Sequence, residues 1–188
     1  MPGLAPECIP ACGVTPDQRR SRCRYNALMN DTNEEIAWLE RTLTADIPMG
    51  GAMALNVSRL DDEGVTLNLP LGPSINDKGT AFGGALGSAM ILAGWSLPRL
   101  ILRRRGIAAD LVIGRCEIRF LAPVSGAYTA LCRWPPEDEV QSFLERLADR
   151  GKGCLLLEPE LWADGQLAAT LSAKYAALVK PSEKADDA

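Results

Sequence analysis

The spacing of apolar residues in the first part of the chain predicts a helix followed by a pair of strands. Between 36 and 43, apolar residues recur every three or four positions, as they do along the buried face of a helix. Apolar and polar residues alternate over 53–57 and again over 65–71, which is typical of two strands joined as a hairpin. The glycine- and proline-containing stretch 72–79 then predicts a loop.

A second helix is predicted from 82 to 105, and it is apolar on nearly every side. Such a helix is either wrapped by protein or spans a membrane. No charged residue occurs over 80–97 and three arginines follow at 103–105, so a membrane span has to be weighed. Pro98 and Arg99 lie within the segment, and the neighbouring amphipathic strands need a surface to pack against. We therefore expect no membrane span.

The second half of the chain alternates with a period of two residues, interrupted by one amphipathic helix. Strands are predicted at 112–120, 128–134, 152–162 and 167–177, with the helix at 137–150. Strands that follow one another through short turns pair antiparallel, so the order of elements predicts an α+β fold. One domain is expected over 29–180, between a disordered leader at 1–28 and a flexible tail at 181–188.

The composition excludes several kinds of chemistry. The formal net charge of −4 and the 5% of aromatic residues argue against a nucleic-acid partner. The chain has no histidine, which removes the commonest general base, the commonest metal ligand and every Ser–His or Cys–His nucleophile. We expect no metal site, and any reaction must use carboxylates, amides, hydroxyls, thiols or the backbone.

The cysteines and the start of the chain indicate a compartment. Six cysteines are present, without a Cys-x-x-Cys pair. Cys116, Cys132 and Cys154 lie in apolar predicted strands and are expected to be buried. No signal-peptide pattern is visible, so a reducing cytoplasm is the expected location.

The most informative stretch is 76–86, which reads N-D-K-G-T-A-F-G-G-A-L and is followed by A-G-W at 93–95. It resembles the N-x-K-G-T-A-F-G-G signature of a hotdog-fold family labelled "putative thioesterase", which includes malonyl-acyl carrier protein decarboxylases. The resemblance extends over 34–179, with Ala85 where serine is common and Ser74 where asparagine is common. It implies a hotdog fold, in which an antiparallel sheet wraps a long central helix, and a homodimer that acts on acyl thioesters.

The start of the long helix offers the predicted chemistry. Gly83 and Gly84 leave N–H groups without helical partners, and the helix dipole adds positive potential, so the pair can stabilise an oxygen that becomes negative. Alternatively, the glycines only let the helix pack against a strand. The resemblance implies that Asn76 is catalytic, as donor of a second hydrogen bond; alternatively, its side chain caps a loop. Thr80 would position water or substrate, or cap the helix.

Decarboxylation fits this helix better than hydrolysis does. Related acyl-CoA hydrolases carry a histidine before the glycine pair and an acid about two turns further along, and here Phe82 and Ile91 stand near those positions. The helix has no Asp or Glu over 85–102, and Ser88 has no evident base. Loss of CO₂ from a malonyl thioester needs no general base, only a stabilised enolate oxygen and a dry pocket.

The remaining candidate residues are assigned to substrate binding. They are Phe82, Ser88, Trp95, Arg103, Arg104 and Arg105. The arginines suit an acidic acyl carrier protein or the phosphates of CoA; alternatively, they complement the negative end of the helix dipole. The phosphopantetheine arm of the carrier protein or of CoA would be part of the substrate, with no separate cofactor.

These features predict a malonyl-acyl carrier protein decarboxylase that produces acetyl-acyl carrier protein for the initiation of fatty acid synthesis. Two alternatives stay open. A thioesterase for acyl-CoA or acyl carrier protein would use water held by Thr80, Ser88 or a carboxylate of the partner subunit. An acyl-thioester binding protein would have lost the helix acid and all activity.

Overall fold

A computed structural model describes residues 32–179 of the chain. Almost all of these residues belong to one compact unit that begins at Glu35. The predicted leader at 1–28 and the predicted tail at 181–188 lie outside the described residues. The domain boundaries expected from the sequence therefore stay predictions.

Three helices confirm the sequence prediction, and one short helix was not predicted. The helices are α1 (32–41, continued by a π-helical turn at Thr42–Asp46), α2 (Pro48–Ala52), α3 (Gly83–Arg104) and α4 (Glu137–Arg150). Both α3 and α4 agree with their predicted bounds to within one residue. The strand predicted at 53–57 begins only at Asn56, because Pro48 starts α2 with the fixed φ angle that suits a first helical residue.

Seven strands lie within the described residues. They are β1 (Asn56–Leu60), β2 (Gly64–Leu69), β3 (Asp110–Phe120), β4 (Tyr128–Arg133), β5 (Lys152–Leu157), β6 (Glu160–Ala163) and β7 (Gln166–Leu178). The single strand predicted at 152–162 is two strands, because Pro159 has no N–H group to donate and interrupts the ladder. Asp164 and Gly165 form the predicted tight turn, and both have the positive φ angles that such a turn requires.

The strands form one antiparallel sheet in the order β1–β2–β4–β6–β7–β3, and β5 also pairs with β7. Strand β3 pairs with β7 along its length and has no second neighbour among the described strands. It is therefore an edge strand, and most of its side chains are exposed. Cys116, which was predicted to be buried, is exposed because it lies on this edge, whereas Cys132 is buried and Cys154 is half-buried.

Helix α3 lies on the sheet and fills the core. It packs against β2, β3, β4, β6 and β7. By length and composition α3 could also cross a membrane, but 72% of its apolar window is buried inside the protein, and a buried core helix passes the same test. Tyr175 of β7 approaches α3 at Gly94 and donates a hydrogen bond to the Ile91 carbonyl (3.0 Å). A long helix wrapped by an antiparallel sheet confirms the predicted α+β hotdog fold.

Candidate functional site

The loop between β2 and α3 contains Asn76, whose side chain holds the loop in shape. Asn76 Oδ1 accepts hydrogen bonds from the backbone N–H groups of Lys78 (2.8 Å) and Thr80 (3.1 Å). Asn76 Nδ2 donates to Thr80 Oγ1 (2.9 Å) and makes a longer contact of 3.5 Å with the Ala81 carbonyl oxygen. In this conformation the Asn76 side chain therefore caps its own loop, as the alternative interpretation predicted. The long contact is weak, so a substrate oxygen could replace it at little cost.

Backbone hydrogen bonds fasten this loop to the domain. The N–H group of Ala81 donates to the Val124 carbonyl (2.7 Å), and that of Phe82 donates to the Ser74 carbonyl (2.7 Å). Ser74 Oγ accepts a hydrogen bond from the buried Tyr128 hydroxyl (2.9 Å). Burial raises the pKa of Tyr128, and the bond to Ser74 partly opposes that rise. The loop is therefore anchored on both sides of the asparagine.

Helix α3 begins without a side-chain cap. Phe82 is the N-cap residue and its ring cannot accept a hydrogen bond, so the alternative that Thr80 caps the helix is wrong. The N–H groups of Gly83 and Gly84 donate to no other residue within 32–179, whereas the next two residues both donate to the Phe82 carbonyl. Two free donors and the helix dipole therefore give this end of α3 a positive potential.

A cavity of about 600 Å³ opens beside the start of α3. Four of the predicted site residues line it, namely Asn76, Phe82, Gly84 and Ser88. The lining is mainly apolar, and Asp77 is the one charged residue among the described residues that form it. The cavity therefore suits an uncharged acyl group next to the helix start.

Apolar side chains that line this cavity are also open to solvent. Phe82 is 60% exposed, and its ring lies against Gly84 where a Cβ atom would overlap it. Met49 and Ile75 are likewise exposed by more than half. Exposed apolar groups at a cavity are typical of a binding site.

Ser88 also lines the cavity. Its Oγ donates a hydrogen bond to the Gly84 carbonyl (2.9 Å), so the hydroxyl proton is already used within the helix.

Several predicted residues do not line the cavity. Thr80 does not line the cavity, but its hydroxyl accepts a hydrogen bond from Asn76, which does. Trp95 lies about three turns further along α3, where its Nε1 donates to the Leu111 carbonyl (3.3 Å). The arginines at 103–105 lie at the other end of α3, where twenty residues of helix correspond to about 30 Å from Gly83. Within one chain, the arginines and the glycine pair are therefore separate.

One of these arginines is already paired. Arg104 Nη2 contacts Glu35 Oε2 at 2.7 Å, and its guanidinium carbon lies 5.0 Å from the centroid of the Trp134 ring. The hydrogen bond from Arg104 to Glu35 raises the pKa of Arg104, and burial opposes that rise. Its charge is thus largely balanced within the chain, which makes Arg104 a weaker candidate for docking an anion.

The glycines of α3 also serve packing, as the alternative interpretation proposed. A Cβ atom at Gly83 would lie 3.3 Å from the Phe120 ring, and one at Gly87 would lie 2.9 Å from Ile118 Cδ1. Packing against β3 therefore accounts for Gly83, although its N–H group stays free. Gly84 differs because it borders the cavity and the Phe82 ring.

Most of the cavity wall was not predicted from the sequence. Met49 and Ala52 form part of its wall from α2, and the sequence signal that could have revealed this helix is Pro48, because proline is favoured at the first helical position. Asp77 reads as a solvated turn residue, yet it lines the cavity beside a turn at Gly79, where φ is +79°. No group of three or more Cys, Asp or Glu residues within 32–179 is placed to hold a metal ion.

The fold and this site together define a hotdog domain of the thioester-acting class. The chain belongs to the family described as "Putative thioesterase (yiiD_Cterm)", whose sequence model matches residues 36–179. No curated protein was found to match the chain.

Solved structures of three bacterial proteins are similar to this fold. A protein of unknown function from Chlorobaculum tepidum is 28% identical with a TM-score of 0.76, and the match covers 79% of this chain and 97% of that one. A "putative thioesterase" from Shewanella oneidensis is 29% identical with a TM-score of 0.67, covering 78% and 98%. A "probable thioesterase" from Pseudomonas aeruginosa, 20% identical with a TM-score of 0.64 over 77% and 95%, shares the fold.

Proposed function

We propose that this protein is a cytoplasmic malonyl-acyl carrier protein decarboxylase, which supplies acetyl-acyl carrier protein to initiate fatty acid synthesis. The observation that supports it most is the pair of free N–H donors at Gly83 and Gly84, close in sequence to Asn76 and beside a mainly apolar cavity. The helix that carries these donors has no Asp, Glu or His over 85–102. This arrangement suits a reaction that needs a stabilised oxygen and no proton abstraction.

The proposed reaction breaks one carbon–carbon bond of the malonyl group. The bond between the carboxylate carbon and the α-carbon breaks, CO₂ leaves, and the electron pair forms an enolate whose charge rests on the thioester oxygen. The N–H groups of Gly83 and Gly84 would donate to that oxygen, joined by Asn76 Nδ2 once it leaves its 3.5 Å contact with the Ala81 carbonyl. A proton from water then adds to the α-carbon and gives the acetyl thioester.

The lining of the cavity supports loss of a carboxylate. No Lys or Arg is among the described residues that line it, and the carboxylate of Asp77 is close by. A malonyl carboxylate in this cavity would gain no ion pair and would be repelled by Asp77. Neutral CO₂ escapes that repulsion, so the reactant is destabilised relative to the transition state.

We further propose that the active form is a homodimer that receives its substrate on acyl carrier protein or CoA. Strand β3 is an exposed edge, and such edges readily pair with another copy. The Phe120 ring of β3 lies against Gly83. A second copy paired along β3 would therefore adjoin the start of α3.

Mass spectrometry of malonyl-loaded acyl carrier protein tests the reaction. We expect conversion to acetyl-loaded carrier protein with release of CO₂, while butyryl-loaded carrier protein stays unchanged because it has no carboxylate to lose. Unloaded carrier protein with a free thiol would instead indicate a thioesterase. No product from malonyl-loaded carrier protein or malonyl-CoA would contradict both activities and favour a binding protein.

Thioester hydrolysis is the second candidate, and the position of Asp77 favours it. This carboxylate lines the cavity with Asn76 and Gly84, where it could take a proton from an attacking water. Asp77→Asn should slow hydrolysis about 100-fold or more if Asp77 is the base. Decarboxylation should fall less in the same variant, because it would lose only the repulsion between Asp77 and the malonyl carboxylate and no proton acceptor. Asp62→Asn, at an exposed turn residue of the β1–β2 hairpin, is the matched control.

A further inference from the structure

A second cavity, of about 710 Å³, lies at the C-terminal end of α3. Its wall contains Trp38 of α1, Arg99 and Arg103 of α3, the loop at 106–109 and Val179 after β7. The proposed reaction uses none of these residues. The two cationic side chains in this cavity therefore have no role in that reaction.

The guanidinium groups of both arginines lie near the ring of Trp38. The guanidinium carbon of Arg103 lies 4.2 Å from the centroid of the Trp38 ring, and that of Arg99 lies 5.7 Å from it and 5.9 Å from the Trp95 ring. Neither arginine forms an ion pair within 32–179. Arg99 Nε is buried without a hydrogen-bond partner among the described residues. A bound anion would supply the acceptor that this buried donor lacks.

The end of helix α3 does not require these two arginines. Backbone N–H groups of Arg105, Gly106 and Ile107 donate to carbonyls of the last helical turn. Arg104 is paired with Glu35 (2.7 Å). Capping and charge balance at the helix end are thus provided by other groups, and Arg99 and Arg103 remain for a ligand.

We propose that this cavity binds a small phosphorylated ligand, with its phosphate held by Arg99 and Arg103. The two residues are four apart and share one face of the helix, and the planar donors of a guanidinium match phosphate oxygens. Ala108 and Ala109 also line the cavity, and their N–H groups donate to no other residue within 32–179. Asp110 lines the cavity too, so two arginines and one acidic residue are the charged groups among the described residues of its wall.

This site is separate from the proposed catalytic site of the same chain. Sixteen residues of helix separate Gly83 from Arg99, which corresponds to about 24 Å, and Arg103 is about 30 Å away. An extended phosphopantetheine arm spans roughly the length of six extended residues, or about 20 Å. The phosphate at the end of a phosphopantetheine arm that reacts at Gly83 and Gly84 therefore does not reach Arg99 and Arg103 of that chain. The inference stands independently of the proposed reaction.

Isothermal titration calorimetry of the full chain tests the site, with inorganic pyrophosphate and CoA as probes. We expect saturable pyrophosphate binding that weakens with salt and becomes about tenfold weaker in Arg103→Gln, because a charge-assisted contact is lost. Arg105→Gln, an exposed arginine of the same cluster outside the cavity, should bind as the parent protein does. Arg103 is exposed, so its variant should fold, which the melting temperature checks.

The probes also identify the source of the phosphate. CoA binding that is lost in Arg103→Gln would identify a nucleotide-type phosphate as the ligand group. Pyrophosphate binding without CoA binding would identify a smaller phosphorylated metabolite. Absence of binding by the parent protein to both probes would overturn the proposal, and so would an equal loss in Arg103→Gln and Arg105→Gln.

Discussion

At position 94 of α3, the absence of a side chain sets how closely the helix approaches the sheet. A Cβ atom at Gly94 would overlap the Tyr175 hydroxyl, whose ring is fully buried and cannot move aside. Gly94→Ala should lower the free energy of unfolding by about 1–2 kcal/mol, because overpacking outweighs the gain in helix propensity. Chemical denaturation monitored by circular dichroism measures the change.

Two further variants show whether the cause is this contact. Gly87→Ala should be close to neutral, because its new methyl group meets only the flexible end of Ile118. Adding Tyr175→Phe to Gly94→Ala should restore part of the lost stability, because it removes the overlapping oxygen. Equal losses in the Gly94 and Gly87 variants would contradict the explanation.

Side-chain roles were only partly predictable from the sequence. The start of α3 could be predicted as a donor pair, because its glycines follow a recognisable loop. That Asn76 binds its own loop through four contacts depends on the fold of the turn at 76–81, which alternation and spacing do not describe. Exposure of Cys116 could not be predicted either, because it follows from which strand ends at the edge.

Among the elements, strand β3 offers an unpaired edge with exposed apolar side chains. Val112 is 45% exposed and Phe120 is 56% exposed. If this edge pairs with a second copy, Val112→Lys should shift the protein from dimer to monomer, because lysine on an edge opposes strand pairing. Light scattering coupled to size-exclusion chromatography measures the mass.

A control separates the edge from a general change in charge. Leu156→Lys places the same charge on β5, at a leucine that is 58% exposed and lies outside β3, and should leave the dimer intact. A monomeric parent protein would contradict the proposed dimer outright. So would a Val112→Lys variant that remains dimeric.

Long periodic elements were the easiest to predict. Helix α4 has one apolar face, and α3 is apolar on nearly every side, so the bounds of both helices could be predicted from the sequence. The short helix α2 has too few residues for a period, and the break between β5 and β6 depends on one proline. Pro48 and Pro159 therefore set element boundaries that hydrophobic periodicity does not show.

At the scale of the whole molecule, the two ends of one helix carry different chemistry. The N-terminal end of α3 offers free N–H donors beside an apolar cavity, and the C-terminal end borders a cavity with two arginines. The family resemblance led to the hotdog fold, whereas the strand order needed the structure. Alternation shows which residues are strands but not which strands are neighbours.

The account depends most on Asn76 and the start of α3 acting on a thioester oxygen. Asn76→Asp tests this, because Oδ1 can still accept from Lys78 and Thr80 while the amide donor is lost. Asn56→Asp makes the same chemical change at an exposed position of β1 and is the matched control. The measurement is the initial rate of acetyl-acyl carrier protein formation from malonyl-acyl carrier protein, followed by mass spectrometry. We expect a decrease of about 100-fold or more in Asn76→Asp, with a melting transition that shows the variant to be folded, and no decrease in the control. A rate in Asn76→Asp equal to that of the parent protein would contradict the account.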